Sequence, residues 1–167
     1  MRPHPATTQA DFAALHALRQ RMALWDIAMS APLGLTAQDV LGAYYTGTAK
    51  DLHRAFTAPG ACALLVRAPD GTPLASLGYA RHQGDSSELQ AFYVDESVRG
   101  QGLGRSLLTQ VLARMAADGY RRACLETAPF MIAARALYRA HGFAPCPPFR
   151  IQPPSVAPSS LFMDRAL

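Results

Sequence analysis

The chain has few of the residues that anchor several common functions. Its three cysteines, Cys62, Cys124 and Cys146, are odd in number and have no metal-like spacing, which indicates neither a disulfide framework nor a metal site. The reading is a reduced, cytoplasmic protein. The histidines (His4, His16, His53, His82 and His141) are dispersed, and again suggest no metal. Lys50 is the single lysine beside fifteen arginines; the net charge is only +4, and the basic residues are scattered rather than gathered in runs. That leaves no footprint for nucleic acid. No apolar stretch approaches the roughly 20 residues of a membrane helix, and no charged start with an apolar core marks a signal peptide. What is present is a 167-residue chain, 50% apolar, enough for one core in a single domain spanning residues 1–167.

The most informative stretch is Arg99-Gly100-Gln101-Gly102-Leu103-Gly104. An apolar, strand-like run from Leu89 to Val94 leads into it and an amphipathic helix leaves it. Alternate glycines let a backbone turn sharply and a ligand come close. The following helix offers unpaired N–H groups and the positive end of its dipole. Together they form a nest for phosphate oxygens, each N–H bond to a charged oxygen contributing about 1.5–3 kcal/mol. A P-loop is excluded, because Arg105-Ser106 stands where Lys-Ser or Lys-Thr is needed and the glycine gap is wrong. A dinucleotide-binding loop fits poorly: five residues separate strand and first glycine, and the third glycine comes one residue early. Glu126, about 20 residues on, is all that favours it.

The rest of the chain reads as an α+β domain with a mixed central sheet. Met1 to Pro5 suggests a short strand. Thr7 or Thr8 caps a helix with Phe12, Leu15, Leu18 and Met22 on its apolar face. Ala31-Pro32-Leu33-Gly34 breaks that helix, and Thr36 starts a second through Val40, Leu41, Tyr44 and Tyr45. Ala61 to Ala68 and Leu74 to Arg81 flank Pro69-Asp70-Gly71-Thr72, a hairpin signal. Ser87 to Val94 is the next strand, and even spacing places Glu88, Gln90, Phe92 and Val94 on one face. A helix follows from Leu103 to Ala117, ended by Gly119. Arg122 to Thr127 is a strand and Met131 to His141 a helix. Pro145, Pro147, Pro148, Pro153, Pro154 and Pro158 exclude regular structure in the tail until about Ser159 to Met163.

These landmarks resemble the GNAT superfamily of acyl-CoA-dependent N-acyltransferases. Arg99, Gly102 and Gly104 fill the superfamily's loop signature, Val94 and Asp95-Glu96-Ser97 its lead-in. Ala134, Leu137, Tyr138, Gly142 and Phe143 match its A-x-x-L-Y-x-x-x-G-F helix. The match covers residues 86–147 well, 61–82 loosely and the first sixty hardly at all. The resemblance implies a GNAT-like sheet whose two central strands splay to form an acyl-CoA cleft. It implies that acetyl-CoA is the co-substrate, with pantetheine on the backbone of Tyr93, Val94 and Asp95. The pyrophosphate would lie on the N–H groups of Arg99, Gly100, Gln101, Gly102, Leu103, Gly104 and Arg105. Met131 stands where the family often carries an asparagine, which removes a polar contact.

Amine acylation by a thioester needs a neutral amine, a polarised carbonyl and a proton for the departing thiolate. The resemblance makes Tyr138 the general acid and Glu88 the general base. Glu126, ending the next strand, is the rival acid or an amine-binding group, and Trp25 and Tyr45 fall in the segment that lines the acceptor site. Cys124, inside a strand without a histidine in its sequence neighbourhood, reads as a small buried residue rather than a nucleophile. The expected reaction is direct transfer of an acetyl group to a primary amine of a small molecule (an amino acid, metabolite or drug), with no membrane or nucleic-acid partner and room for a homodimer. Two alternatives stay open: acetylation of a protein or peptide, and an acyl-CoA-binding regulatory module without turnover.

Overall fold

Three Thr-x-x-Asp capping boxes start the three N-terminal helices. In α1 (Gln9–Ser30), α2 (Ala37–Tyr44) and α3 (Ala49–Phe56), the threonines Thr8, Thr36 and Thr48 each accept the N–H of an aspartate three residues on, which reaches back to the threonine N–H. Each such cap stabilises its helix by about 1 kcal/mol. The third box marks a helix that the sequence pattern did not suggest, because only Leu52 and Phe56 are buried on it. Asp11, the partner of Thr8, also holds Arg67 at 3.1 Å and so ties α1 to the sheet. Burial alone would raise its proton affinity, but bonds from Thr8, Thr7 and Arg67 outweigh that and hold the carboxyl far below its usual range.

The computed structural model describes all of residues 1–167. Its strands are β1 (His4–Pro5), β2 (Cys62–Arg67), β3 (Pro73–Arg81), β4 (Ser86–Val94), β5 (Arg122–Thr127), β6 (Ala144–Pro145) and β7 (Leu161–Ala166), with α4 (Leu103–Ala117) between β4 and β5 and α5 (Ile132–Ala140) after β5. They form one seven-stranded sheet in the order β1-β2-β3-β4-β5-β7-β6. Only the β4–β5 pair is parallel; the other neighbours are antiparallel. This is the mixed sheet with flanking helices expected. The first strand is shorter than Met1 to Pro5, and two proline-tail residues do pair, at the sheet edge, where a proline's missing N–H does no harm.

Apolar side chains fill both faces of the sheet. Leu107, Leu108, Val111 and Met115 of α4 pack with Leu64, Leu77, Leu89, Leu125 and Tyr138 on one face. Phe12, Leu15 and Leu18 of α1 pack with Leu52, Phe56 and Leu65 on the other. Each large apolar side chain so buried contributes about 1.5–3 kcal/mol.

One correction bears directly on the site. Gly78 pairs with Gln90 but Ser76 with Tyr93, so Leu77 faces two residues and β4 bulges at Ala91. Ala91 adopts a φ of 54°, and Ser76 Oγ donates to its carbonyl at 2.7 Å. The extra residue reverses the alternation. Phe92 and Val94 therefore join Leu89 on the α4 face, while Ala91 and Tyr93 pack towards α1. Glu88 and Gln90 do not share a face with Phe92 and Val94. The left-handed conformation costs an alanine about 1–2 kcal/mol, and a glycine escapes that at some cost in unfolded-state entropy. Ala91→Gly should thus stabilise the fold by about 0.5–1 kcal/mol, read as a higher urea midpoint with an unchanged slope; a lower midpoint would show that the bulge is not strained.

Candidate active site

The parallel pairing of β4 with β5 stops after three registers, Ser86 with Arg122, Ser87 with Ala123 and Glu88 with Cys124. Each strand stays paired on its other edge, β4 with β3 as far as Val94 and β5 with β7 as far as Thr127. Beyond Glu88 the two therefore diverge around a gap bounded by unpaired backbone. The Asp95 N–H bonds to Leu74 O at 2.8 Å, so strand alternation turns the polar backbone of Val94 the other way, into the gap. An extended ligand can be held there as an added strand.

At the end of β4 the chain makes a short turn at Glu96–Val98, fixed by Asp95, whose carboxylate accepts from Ser97 N at 3.1 Å and Ser97 Oγ at 2.6 Å. Gly100 and Gly102 then take φ values of 78° and 80°. The N–H groups from Gly100 to Arg105 have no acceptor in the protein. They converge with the α4 dipole as an anion nest. Arg99 is the exception to the expected set: its N–H bonds to Glu96 O at 3.3 Å, and its Nε donates to Val94 O at 3.1 Å. Its side chain still borders the groove. Asp95 is committed to Ser97 and, at 3.0 Å, to Arg21, and does not line the groove. Gly104 packs closely, since a Cβ there would touch the Phe92 and Leu137 side chains at 3.4 Å.

Two cavities meet beside the gap. One, of about 540 Å³, runs from the glycine loop past Phe92 and Val94 to Met131 and Leu137. The other, of about 450 Å³, is lined by α1, α2, β4 and β5 and contains Glu88, Glu126, Asp26, Tyr44, Tyr45, Tyr138 and Arg150. They share Met22, Phe92, Tyr93, Phe130 and Met131. Met131 accepts from Thr127 Oγ1 through its sulfur at 3.4 Å, so the residue replacing the usual asparagine forms part of the wall between them.

Tyr138 is buried on α5, its ring between Phe92 (centroids 6.0 Å apart) and Phe143 (5.8 Å). Tyr138 lines the second cavity, and its hydroxyl makes no hydrogen bond in the protein. Burial raises its pKa, so the phenol stays protonated across ordinary pH. Glu88 is buried too, with both oxygens engaged: Gln90 Nε2 donates to Oε2 at 3.2 Å, and Arg150 pairs with Oε1. Glu126 differs. Gln152 Nε2 donates to Oε2 at 2.5 Å, while the buried Oε1 has no partner. Burial raises its pKa, more than Ser160, Arg150 and Gln152 lower it. Asp26 accepts from Tyr45 O–H at 2.9 Å and Ser30 O–H at 3.3 Å, and burial raises its pKa as well. Burial, with the Glu88 charge, pushes the Cys124 thiol up to about 12, which keeps it an inert thiol.

The structure thus gathers Glu88, Glu126, Tyr45 and Tyr138 around one cavity. Trp25 instead faces the glycine-loop groove, edge-on to Phe130 at 5.8 Å. Two participants were not foreseen. Asp26 left a faint trace, as a lone acid in the apolar run from Trp25 to Met29. Arg150 left none, because only the return of the proline-rich tail across β4 and β5 brings it near Glu88.

Comparison with known proteins agrees with this geometry. The model of the acetyltransferase (GNAT) family matches residues 21–143. An N-acetyltransferase of Escherichia coli strain K12, YjgM, itself uncharacterised, is 31% identical over 118 residues, 69% of this chain and 70% of that protein. An IAA acetyltransferase of Azospirillum brasilense is 35% identical over 85 residues, 51% of this chain; the chain spans only about half (54%) of that relative's length. A phosphinothricin acetyltransferase of Sinorhizobium meliloti, solved with AcCoA, superposes with a TM-score of 0.71 at 17% identity over 100% of this chain and 89% of that one, a likeness of fold.

Proposed function

Because the chain belongs to the GNAT acetyltransferase family and is an N-acetyltransferase, we propose that it transfers an acetyl group from acetyl-CoA directly to the primary amine of a small molecule. The observation that carries this reading is the meeting of the two cavities at the strand gap. One ends in the unpaired N–H groups of Gly100 to Arg105, and the other presents buried carboxylates and a phenol. The nest suits a pyrophosphate and the open edge of β4 suits pantetheine.

The residues divide the chemistry as follows. Glu126, with a free oxygen and a raised proton affinity, takes the proton from the acceptor's ammonium. The amine nitrogen bonds to the acyl carbon as the carbon–sulfur bond breaks, Tyr138 supplies a proton to the sulfur, and the extra proton on the acylated nitrogen passes to the Tyr138 phenolate, leaving the amide. Glu88, held by Gln90 and Arg150, keeps the cavity charge in place. A cavity of about 450 Å³ suits a small acceptor.

Calorimetry with acetyl-CoA, against NADH and ATP, tests the reading. Saturable binding of acetyl-CoA alone is the expected result, and its absence would overturn the cofactor assignment. Turnover, followed as thiol release, should fall on the acid side as Glu126 protonates, at a pH above the ordinary carboxylate value of about 4.3. A carboxyl with a raised pKa is the active form only above that pKa, so the loss proceeds as pH falls.

A further inference from the structure

This inference rests on the acyltransfer reading above and narrows its acceptor. Arg150 comes from the proline-rich segment between β6 and β7 and lines the acceptor cavity beside Glu88 and Glu126. Its orientation is fixed. The guanidinium carbon lies 5.0 Å over the ring of Phe149, which is held edge-on between His82 and Phe162, each at a centroid distance of 4.8 Å. One Nη2 hydrogen bonds to Glu88. Nε stands 3.8 Å from Glu126 Oε2, an ion pair too long for a hydrogen bond. Of the five donors that a guanidinium carries, four are left without an acceptor.

Beside this cation, Glu126 accepts from Gln152 through Oε2, with the Ser160 and Tyr44 hydroxyls next to its carboxylate, and keeps one buried oxygen, Oε1, without a hydrogen bond. The Glu126 side chain is 10% exposed. A fork of free donors and a free carboxylate oxygen, side by side in one cavity, are the charge complement of a zwitterion. We infer that the acceptor is an α-amino acid, its carboxylate bound by the free donors of Arg150 and its amino group by Glu126 Oε1. The pairing is chemically apt, because a guanidinium fork matches a carboxylate bidentately. The 3.8 Å separation of the protein's two charges calls for a ligand whose opposite charges are equally close, which an α-amino acid has and an ω-amino acid lacks. A plain alkylamine would bring a positive charge against Arg150. A peptide N-terminus, whose carboxyl is an amide, would leave the Arg150 fork unmatched.

The test compares kcat/KM for the twenty free amino acids, their amides and the corresponding decarboxylated amines, using acetyl-CoA and thiol release. The preferred amino acid should exceed its own amide and amine at least tenfold, mainly through KM. In Arg150→Met the ratio of acid to amide should fall at least tenfold; Arg150→Lys, which keeps the charge and stem but loses the fork, should fall between. Amides or amines acylated as well as the acid, an unchanged ratio in Arg150→Met, or turnover of amines but of no amino acid would each overturn the inference. Acetyl-CoA calorimetry on the same preparations separates the two levels. Cofactor binding without amino-acid preference removes only this inference, whereas no cofactor binding removes the acyltransfer reading beneath it.

Discussion

Gly102→Asp should reduce acetyl-CoA affinity by more than 100-fold while leaving the fold in place. Gly102 is the N-cap of α4 at a φ of 80°, and a Cβ built there meets nothing within 4 Å. The substitution therefore clashes with no part of the protein, and aspartate is among the residues that tolerate the left-handed region best. Its charge is the decisive element. A carboxylate about 5 Å from one phosphate charge, at an effective dielectric constant near 20, is repelled by about 3 kcal/mol. Since about 1.4 kcal/mol is tenfold, one such repulsion exceeds 100-fold, and a pyrophosphate carries more than one charge. Gly102→Asn separates the causes, with a similar backbone preference and volume but no charge, and should lose far less. Calorimetry with acetyl-CoA, beside thermal melts of all three proteins, decides the matter. Near wild-type affinity in the aspartate variant would remove the loop as the phosphate site.

The sequence made the glycine loop legible because its chemistry is local: strand, turn, glycines and helix follow one another without interruption from Ser86 to Ala117. The same holds for α4 and β5, whose predicted bounds, Leu103–Ala117 and Arg122–Thr127, are those observed. The acceptor cavity is a different matter, since its groups come from distant segments. Asp26 and Tyr45 meet through a bond across 19 positions and Arg150 and Glu88 through one across 62. No period or motif encodes such meetings; they follow from the sheet order, in which β7 pairs with β5 and brings the proline tail back over the cleft. The bulge at Ala91 shows another limit. Alternation in β4 is a sound inference until one extra residue reverses it, and neither alanine nor its neighbours announce a left-handed residue as glycine would.

Tyr138→Phe should lower the rate of acyl transfer about 100-fold and leave both acetyl-CoA affinity and stability close to wild type. That combination follows from where the side chain stands. Its ring contacts, with Phe92 at 6.0 Å and Phe143 at 5.8 Å, are contacts a phenylalanine keeps. The hydroxyl has no bond within the protein to lose, so unfolding free energy should move by less than about 0.5 kcal/mol, as for a substitution outside any polar network. The rate is different, because a positioned general acid is commonly responsible for 10²–10⁴-fold. A phenol whose pKa is raised by burial is by itself a poor match for a thiolate whose conjugate acid has a pKa of about 8.5 in water. Desolvation acts on the thiolate in the same direction, however, just as burial and the Glu88 charge together push the Cys124 thiol up. Donor and acceptor are thus brought back towards each other. Single-turnover thiol release is the right measurement, since slow product release would otherwise mask the loss. The acid limb assigned to Glu126 should persist in the variant, because the two groups handle different protons. A single-turnover rate within twofold of wild type would show that the thiolate leaves without help from Tyr138.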